Sequence, residues 1–105
     1  MRKIKCIIKR PDEEYGHMTA ISTTLENLQK TVGGYIETVP LTCGVIAIVN
    51  EEGKIKGLER NLRIPGDVLC GTIILIGTKG EDLDDIPISF KAWKQYVNTC
   101  KEFIY

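Results

Sequence analysis

Only one histidine and one tryptophan occur in this chain of 105 residues, and its basic and acidic residues balance at 14 each. That balance removes the basic surplus that marks nucleic-acid binding, so a nucleic-acid partner is not expected. It also leaves little long-range repulsion between copies, and a homo-oligomer is expected on that ground. Cys6, Cys43, Cys70 and Cys100 are scattered, with no CxxC pair among them. A zinc set is therefore not indicated, and the four read as reduced thiols acting as small hydrophobes. No apolar run approaches the ~20 residues needed to span a bilayer. The basic N-terminal residues precede only Cys6-Ile7-Ile8, too short an apolar stretch for a secretory signal, so a cytoplasmic protein is expected.

Catalytic constellations are equally scarce. His17 has only generic neighbours in sequence, such as Asp12 and Ser22, where a triad would place a nucleophile and an orienting carboxylate. The acidic pairs Glu51-Glu52, Glu81-Asp82 and Asp84-Asp85 do not fill the alternating twelve-residue frame of a calcium loop. Gly33-Gly34 lacks the lysine and hydroxyl residue of a phosphate loop, and it follows a helical pattern instead of opening one. A non-enzymatic protein without metal or cofactor is the resulting expectation.

What is present is a pattern of short elements. Ile4, Cys6 and Ile8 alternate with Lys3, Lys5 and Ile7, predicting a first strand with one face inward and a basic outer face. Residues 17–22 could pair back as a second strand. Thr23 and Glu26 have capping-box spacing, Leu25, Leu28 and Val32 form an apolar stripe, and Gly33 stands where a left-handed cap belongs. Residues 35–39 alternate as a strand, which Pro40 is expected to end. Thr42-Cys43-Gly44 then turns into residues 45–49 (VIAIV), apolar on both faces and hence central. The second face of that strand requires a cover, either the C-terminal helix or a second copy.

Asn50-Glu51-Glu52-Gly53-Lys54 reads as a hairpin loop closed by a positive φ at Gly53, with Ile55 in a short partner strand. Residues 58–69 read as irregular around a Pro65-Gly66 turn, residues 71–77 (GTIILIG) as a second central strand, and residues 79–85 as an acidic loop. Ser89 is a good N-cap, Ile88 and Trp93 have staple spacing, and Trp93, Tyr96, Val97, Cys100 and Ile104 share one helical face. Together these predict one α+β domain. Its four- or five-stranded, mostly antiparallel sheet carries two helices, residues 24–32 and 90–104, on one face.

For function, the residue types suggest a polar pocket near Tyr35, Glu37, Asn50, Arg60 and Asn61. Gly34 would let a ligand approach the backbone, Tyr35 could stack on a flat ring, and Arg60, Arg63 or Lys54 could answer a phosphate. A small anionic, nucleotide-like ligand fits that set. The competing expectation is a protein-interaction module that blocks or docks a host macromolecule.

The segments Val32-Gly33-Gly34-Tyr35-Ile36-Glu37 and Asn50-Glu51-Glu52-Gly53-Lys54, with Leu28-Gln29, Gly57-Leu58 and Asn61, resemble the DUF3846 family. The strand at residues 73–77 and Glu81-Asp82-Leu83 fit the tail of that pattern, so the resemblance covers roughly residues 3–90. It implies a small bacterial domain, borne by a phage or plasmid, with no activity to transfer. Small proteins from such elements often act by binding a host defence protein or a signalling nucleotide. Two departures stand out: Cys70 and Thr78 occupy positions where the family often has aspartate, so a role tied to those acids does not carry over.

Overall fold

The computed structural model describes residues 2–104, with side chains described as far as Lys101. Ten elements follow in chain order: β1 (Ile4–Lys9), β2 (His17–Ile21), α1 (Leu25–Val32), β3 (Ile36–Thr42), β4 (Val45–Asn50), β5 (Arg60–Ile64), β6 (Asp67–Cys70), β7 (Ile73–Lys79), β8 (Asp82–Asp84) and α2 (Phe90–Ile104). The α+β class stands, but the sheet is larger than expected. Six strands form it in the order β2-β1-β7-β4-β3 with β8 added on β7, every pairing antiparallel, and β5 and β6 form a separate two-stranded ribbon.

The two doubly apolar segments are where their composition puts them. β4 and β7 lie side by side in the middle, Ile46 opposite Ile76 and Ile48 opposite Ile74. Because successive side chains point to opposite faces, they feed two separate cores. Val45, Ala47, Val49, Ile73 and Leu75 join Ile7, Leu62, Ile64, Leu69, Trp93 and Val97 on one face. Ile48, Ile74 and Ile76 join Ile4, Cys6, Ile8, Leu28 and Val32 on the other. The helices therefore lie on opposite faces, not on one as expected. α1 closes the second core, while α2 and the ribbon together close the first. A period of 3.6 identifies each helix's buried stripe but not the sheet face it meets.

Local corrections have similar causes. The cap of α1 is Thr24, whose hydroxyl accepts from the Asn27 amide at 3.2 Å, not Thr23, and Asn27 Nδ2 reaches back to the Ser22 carbonyl at 2.7 Å. Gly33 is the left-handed cap as predicted, at φ 83°. Pro40 does not end β3, which runs on to Thr42 with a register shift after Pro40. β3 is an edge strand, where a missing amide proton is tolerated. Cys43 and Gly44 both have positive φ and close the β3–β4 hairpin.

Residues 51–57 are not a hairpin loop. The Lys56 amide bonds the Glu52 carbonyl at 2.8 Å in a helix-like turn, and the positive φ falls on Gly57, not Gly53. Gly53 instead packs closely on β6: a Cβ there would stand 3.1 Å from the Cys70 carbonyl oxygen. Ile55 joins no strand and is 85% exposed. The acidic segment folds back as β8, with Lys79 opposite Asp82.

In α2, Ser89 accepts from the Ala92 amide at 3.1 Å, confirming the cap. Trp93 is fully buried, stacks on Tyr96 at 5.6 Å between centroids, and donates its indole N–H to the Tyr15 carbonyl at 2.8 Å. Such a side chain anchors α2 with about 3 kcal/mol or more at stake on truncation. The expected contribution of Ile104 to this face lies outside the described side chains.

Candidate ligand cleft

The segment expected to be irregular is the ribbon, and it builds a concavity on its outer face. Pro65-Gly66 makes the two-residue turn, Gly66 at φ 80°, and Ile64 faces Asp67 across it. Proline followed by a positive-φ glycine is the signature of a type II turn. Leu62 opposes Leu69 with both side chains in the core, so the intervening positions face outward: Arg63 opposite Val68, and Arg60 opposite Cys70. The register shift between Arg60 and Leu62 leaves Asn61 as an extra residue.

Asn61 uses that freedom to fasten the ribbon to the sheet. Its Nδ2 donates to the carbonyls of Lys9 and Gly71, each at 2.7 Å, and its Oδ1 accepts from Lys9 Nζ at 2.6 Å. Lys9 is therefore buried, at 3% exposure. On the other side of the ribbon, Lys54 from the β4–β5 connection pairs with Asp67, whose Oδ1 also accepts from the Val68 amide at 2.7 Å. Those two bonds hold the Asp67 carboxyl below its ordinary range, and Asp67 in turn raises the Lys54 ammonium.

Between these fastenings lies a cleft of about 620 Å³ over the outer face of the ribbon. Lys54, Arg60 and Arg63 line it against one carboxylate, Asp67, while Leu58, Ile64 and Val68 supply apolar wall. Arg60 is exposed and has no acidic partner among the described residues. A neighbouring cleft of about 220 Å³ shares Lys54, Asp67, Val68 and Cys70, but it also contains Glu37 and Glu51 and is acidic in balance.

The predicted site residues are thus dispersed. Arg60 lines the large cleft, Glu37 and Asn50 the acidic one, and Asn61 a third beside Lys9, while Tyr35 is 67% exposed and lines none of these. Asn50 is committed internally: Nδ2 donates to the Val32 carbonyl at the end of α1 at 3.2 Å, and Oδ1 accepts from the Glu52 amide at 2.8 Å. Gly34 makes room for Asn50, because a Cβ there would lie 2.8 Å from Asn50 Nδ2. The sequence reading missed Leu58, Asp67, Val68 and Cys70. Alternating Leu62 and Ile64 followed by a Pro-Gly turn was the available signal. His17, the only imidazole, is exposed and has Glu13 as its ring partner at 3.1 Å.

The DUF3846 family model, described as a domain of unknown function, matches residues 4–100. The chain belongs to the DUF3846 family. No curated protein and no solved structure matches it. Among the described residues of this DUF3846 domain, no group of three or more His, Cys, Asp or Glu side chains is placed to hold a metal ion. Nor is any described helix long and apolar enough to cross a membrane.

Proposed function

We propose that this DUF3846 domain works by occupancy, holding a small anionic, nucleotide-like ligand in the cleft over the ribbon. The observation that carries the reading is the convergence of Lys54, Arg60 and Arg63 on one cleft with apolar walls. Guanidinium groups match phosphate oxygens with two parallel hydrogen bonds, and Lys54 adds a point charge. A volume of about 620 Å³ falls in the range of small-molecule sites. Tyr35 lies outside this cleft, so in this reading a flat ring rests on Leu58 and Val68 instead of stacking on the tyrosine. In a phage or plasmid setting, sequestering a signalling nucleotide would need no turnover.

Calorimetric titration with mono- and cyclic nucleotides tests the proposal. Binding should be salt-sensitive, and Arg60→Ala should weaken it about tenfold, equivalent to ~1.4 kcal/mol. Absence of heat at about 100 µM ligand, the weakest affinity that would support sequestration, removes the reading. Docking on a macromolecule, the second reading, draws on Ile55 and Tyr35, large side chains that are 85% and 67% exposed. Ile55→Ser and Tyr35→Ser should abolish association with a partner protein while leaving nucleotide binding intact.

A further inference from the structure

β3 ends in a bulge, where Pro40 pairs with Ile46 and Thr42 with Val45. The end of that strand, the Pro65 turn of the ribbon and the C-terminal half of α2 border a cavity of about 320 Å³. Pro40, Leu41, Pro65 and Tyr96 supply its apolar wall, and Thr42, Thr99 and Cys100 complete it. Among the described residues no Lys, Arg, Asp or Glu lines it, in contrast to the ribbon cleft and the acidic cleft. Its volume stands at the lower end of the range of small-molecule sites. The walls are stiff. Pro40 and Pro65 have no side-chain rotamers to lose. Tyr96 stacks on Trp93, which is fully buried and held by its bond to the Tyr15 carbonyl.

The hydroxyl groups narrow the chemistry. Thr99 donates its proton to the Gln95 carbonyl at 2.9 Å, and Thr42 donates to the Cys43 sulfur at 3.5 Å. What either threonine offers a ligand is therefore lone pairs, which call for a donor. Burial first, and a hydrogen bond with Cys100 second, raise the Tyr96 hydroxyl above its ordinary pKa, so it stays neutral across the physiological range. A charged ligand would leave water here without meeting a counter-charge, whereas a neutral one bears no such cost. We infer that this cavity is a binding site for a neutral, largely apolar small molecule of the phenol class: an aromatic ring with a hydroxyl that donates to the threonine oxygens. The ring rests against the two prolines, Leu41 and Tyr96. Among the described residues the ribbon contributes only Pro65 to this site, which does not rest on the nucleotide reading.

The test is a titration with phenol, read by NMR from the backbone amides of Thr42, Thr99 and Cys100. Saturable shifts should develop at or below about 10 mM, an affinity in keeping with so small a fragment. The indole N–H of Trp93 should respond with them through its stack on Tyr96. Benzoate, the same ring with a charge, should bind about tenfold more weakly. Thr42→Val with Thr99→Val removes both acceptors at nearly constant shape and should weaken phenol about tenfold. The same pair should leave anisole, which has no donor, unaffected. If the double variant fails to fold, Thr99→Val alone, at an exposed position, should weaken phenol several-fold. Arg60→Ala should change nothing. The inference is overturned if phenol moves none of these signals, if benzoate matches phenol, or if the threonine variants bind phenol like the wild type. Signals that shift with protein concentration in the absence of any probe would mean that a second copy fills the cavity, and that also overturns it.

Discussion

Replacing Asn61 by alanine should cost this small domain about a quarter or more of its stability. The side chain makes three bonds that no neighbour duplicates in kind: two to the carbonyls of Lys9 and Gly71 at 2.7 Å, and one from the buried Lys9 ammonium at 2.6 Å. A neutral bond contributes about 1 kcal/mol net and one to a charged group about 2 kcal/mol, so the loss comes to about 4 kcal/mol. Domains of this size have roughly 5–15 kcal/mol in total. With a urea slope of about 1.5 kcal/mol/M, the midpoint should fall by roughly 2.5 M. Emission of Trp93, the only tryptophan and fully buried, reports the transition directly. Arg60→Ala, one residue away and exposed, is the control and should stay within about 0.5 kcal/mol of wild type. A double-mutant cycle with Lys9→Met should return a coupling of about 1.5–3 kcal/mol between the two side chains. A loss below ~1 kcal/mol for Asn61→Ala would mean that water replaces the amide freely. The ribbon would then not be fastened to the sheet in the manner described.

Two further outcomes are expected. Gly77→Ala should destabilise by more than about 2 kcal/mol, because its Cβ would stand 2.3 Å from the Asp85 carbonyl oxygen and force β7 away from the segment beside it; a urea midpoint within error of wild type refutes this. The Glu13 carboxyl is held below its ordinary 4.5 by the Arg10 amide first and by His17 second. A depressed folded value stabilises above the unfolded value and loses that stabilisation as pH falls through the folded one. Wild type should therefore exceed Glu13→Gln by less than ~1 kcal/mol at pH 6, with the gap closing below about pH 4.5; a gap that persists unchanged to pH 3 refutes the assignment.

The parts of the fold that were readable share one property: their signal is local. Gly33 needs only its own φ, Ser89 only the next turn, and residues 45–49 and 73–77 declare a central position through being apolar on both faces. That same two-sidedness hides which face each helix takes, because a strand apolar on both sides accepts either. The ribbon was hidden for a related reason. Its alternation is broken at Asn61 by the extra residue, so Arg60, Asn61 and Leu62 fit no single period. Lys9 carries no local sign of its burial, because its partner lies 52 positions away.

The candidate site divides along this line too. Lys54, Arg60 and Arg63 were legible as phosphate-binding types, and they do meet at one cleft. Asn50 and Asn61 were read as pocket residues, yet both are spent on backbone groups inside the fold. Their commitment leaves Lys54, Arg60 and Arg63 as the cations that line the cleft. Asn61 fastens the inner edge of the ribbon, and the Lys54–Asp67 pair ties its tip to the preceding connection. The outer face is thereby held in place, and cations projecting from a fixed pair of strands would lose less freedom on binding the proposed anion than cations on a loose loop. An asparagine in a strand bulge with outward arginines on either side is then a pattern with mechanical meaning: Asn61 fixes the platform from which Arg60 and Arg63 project.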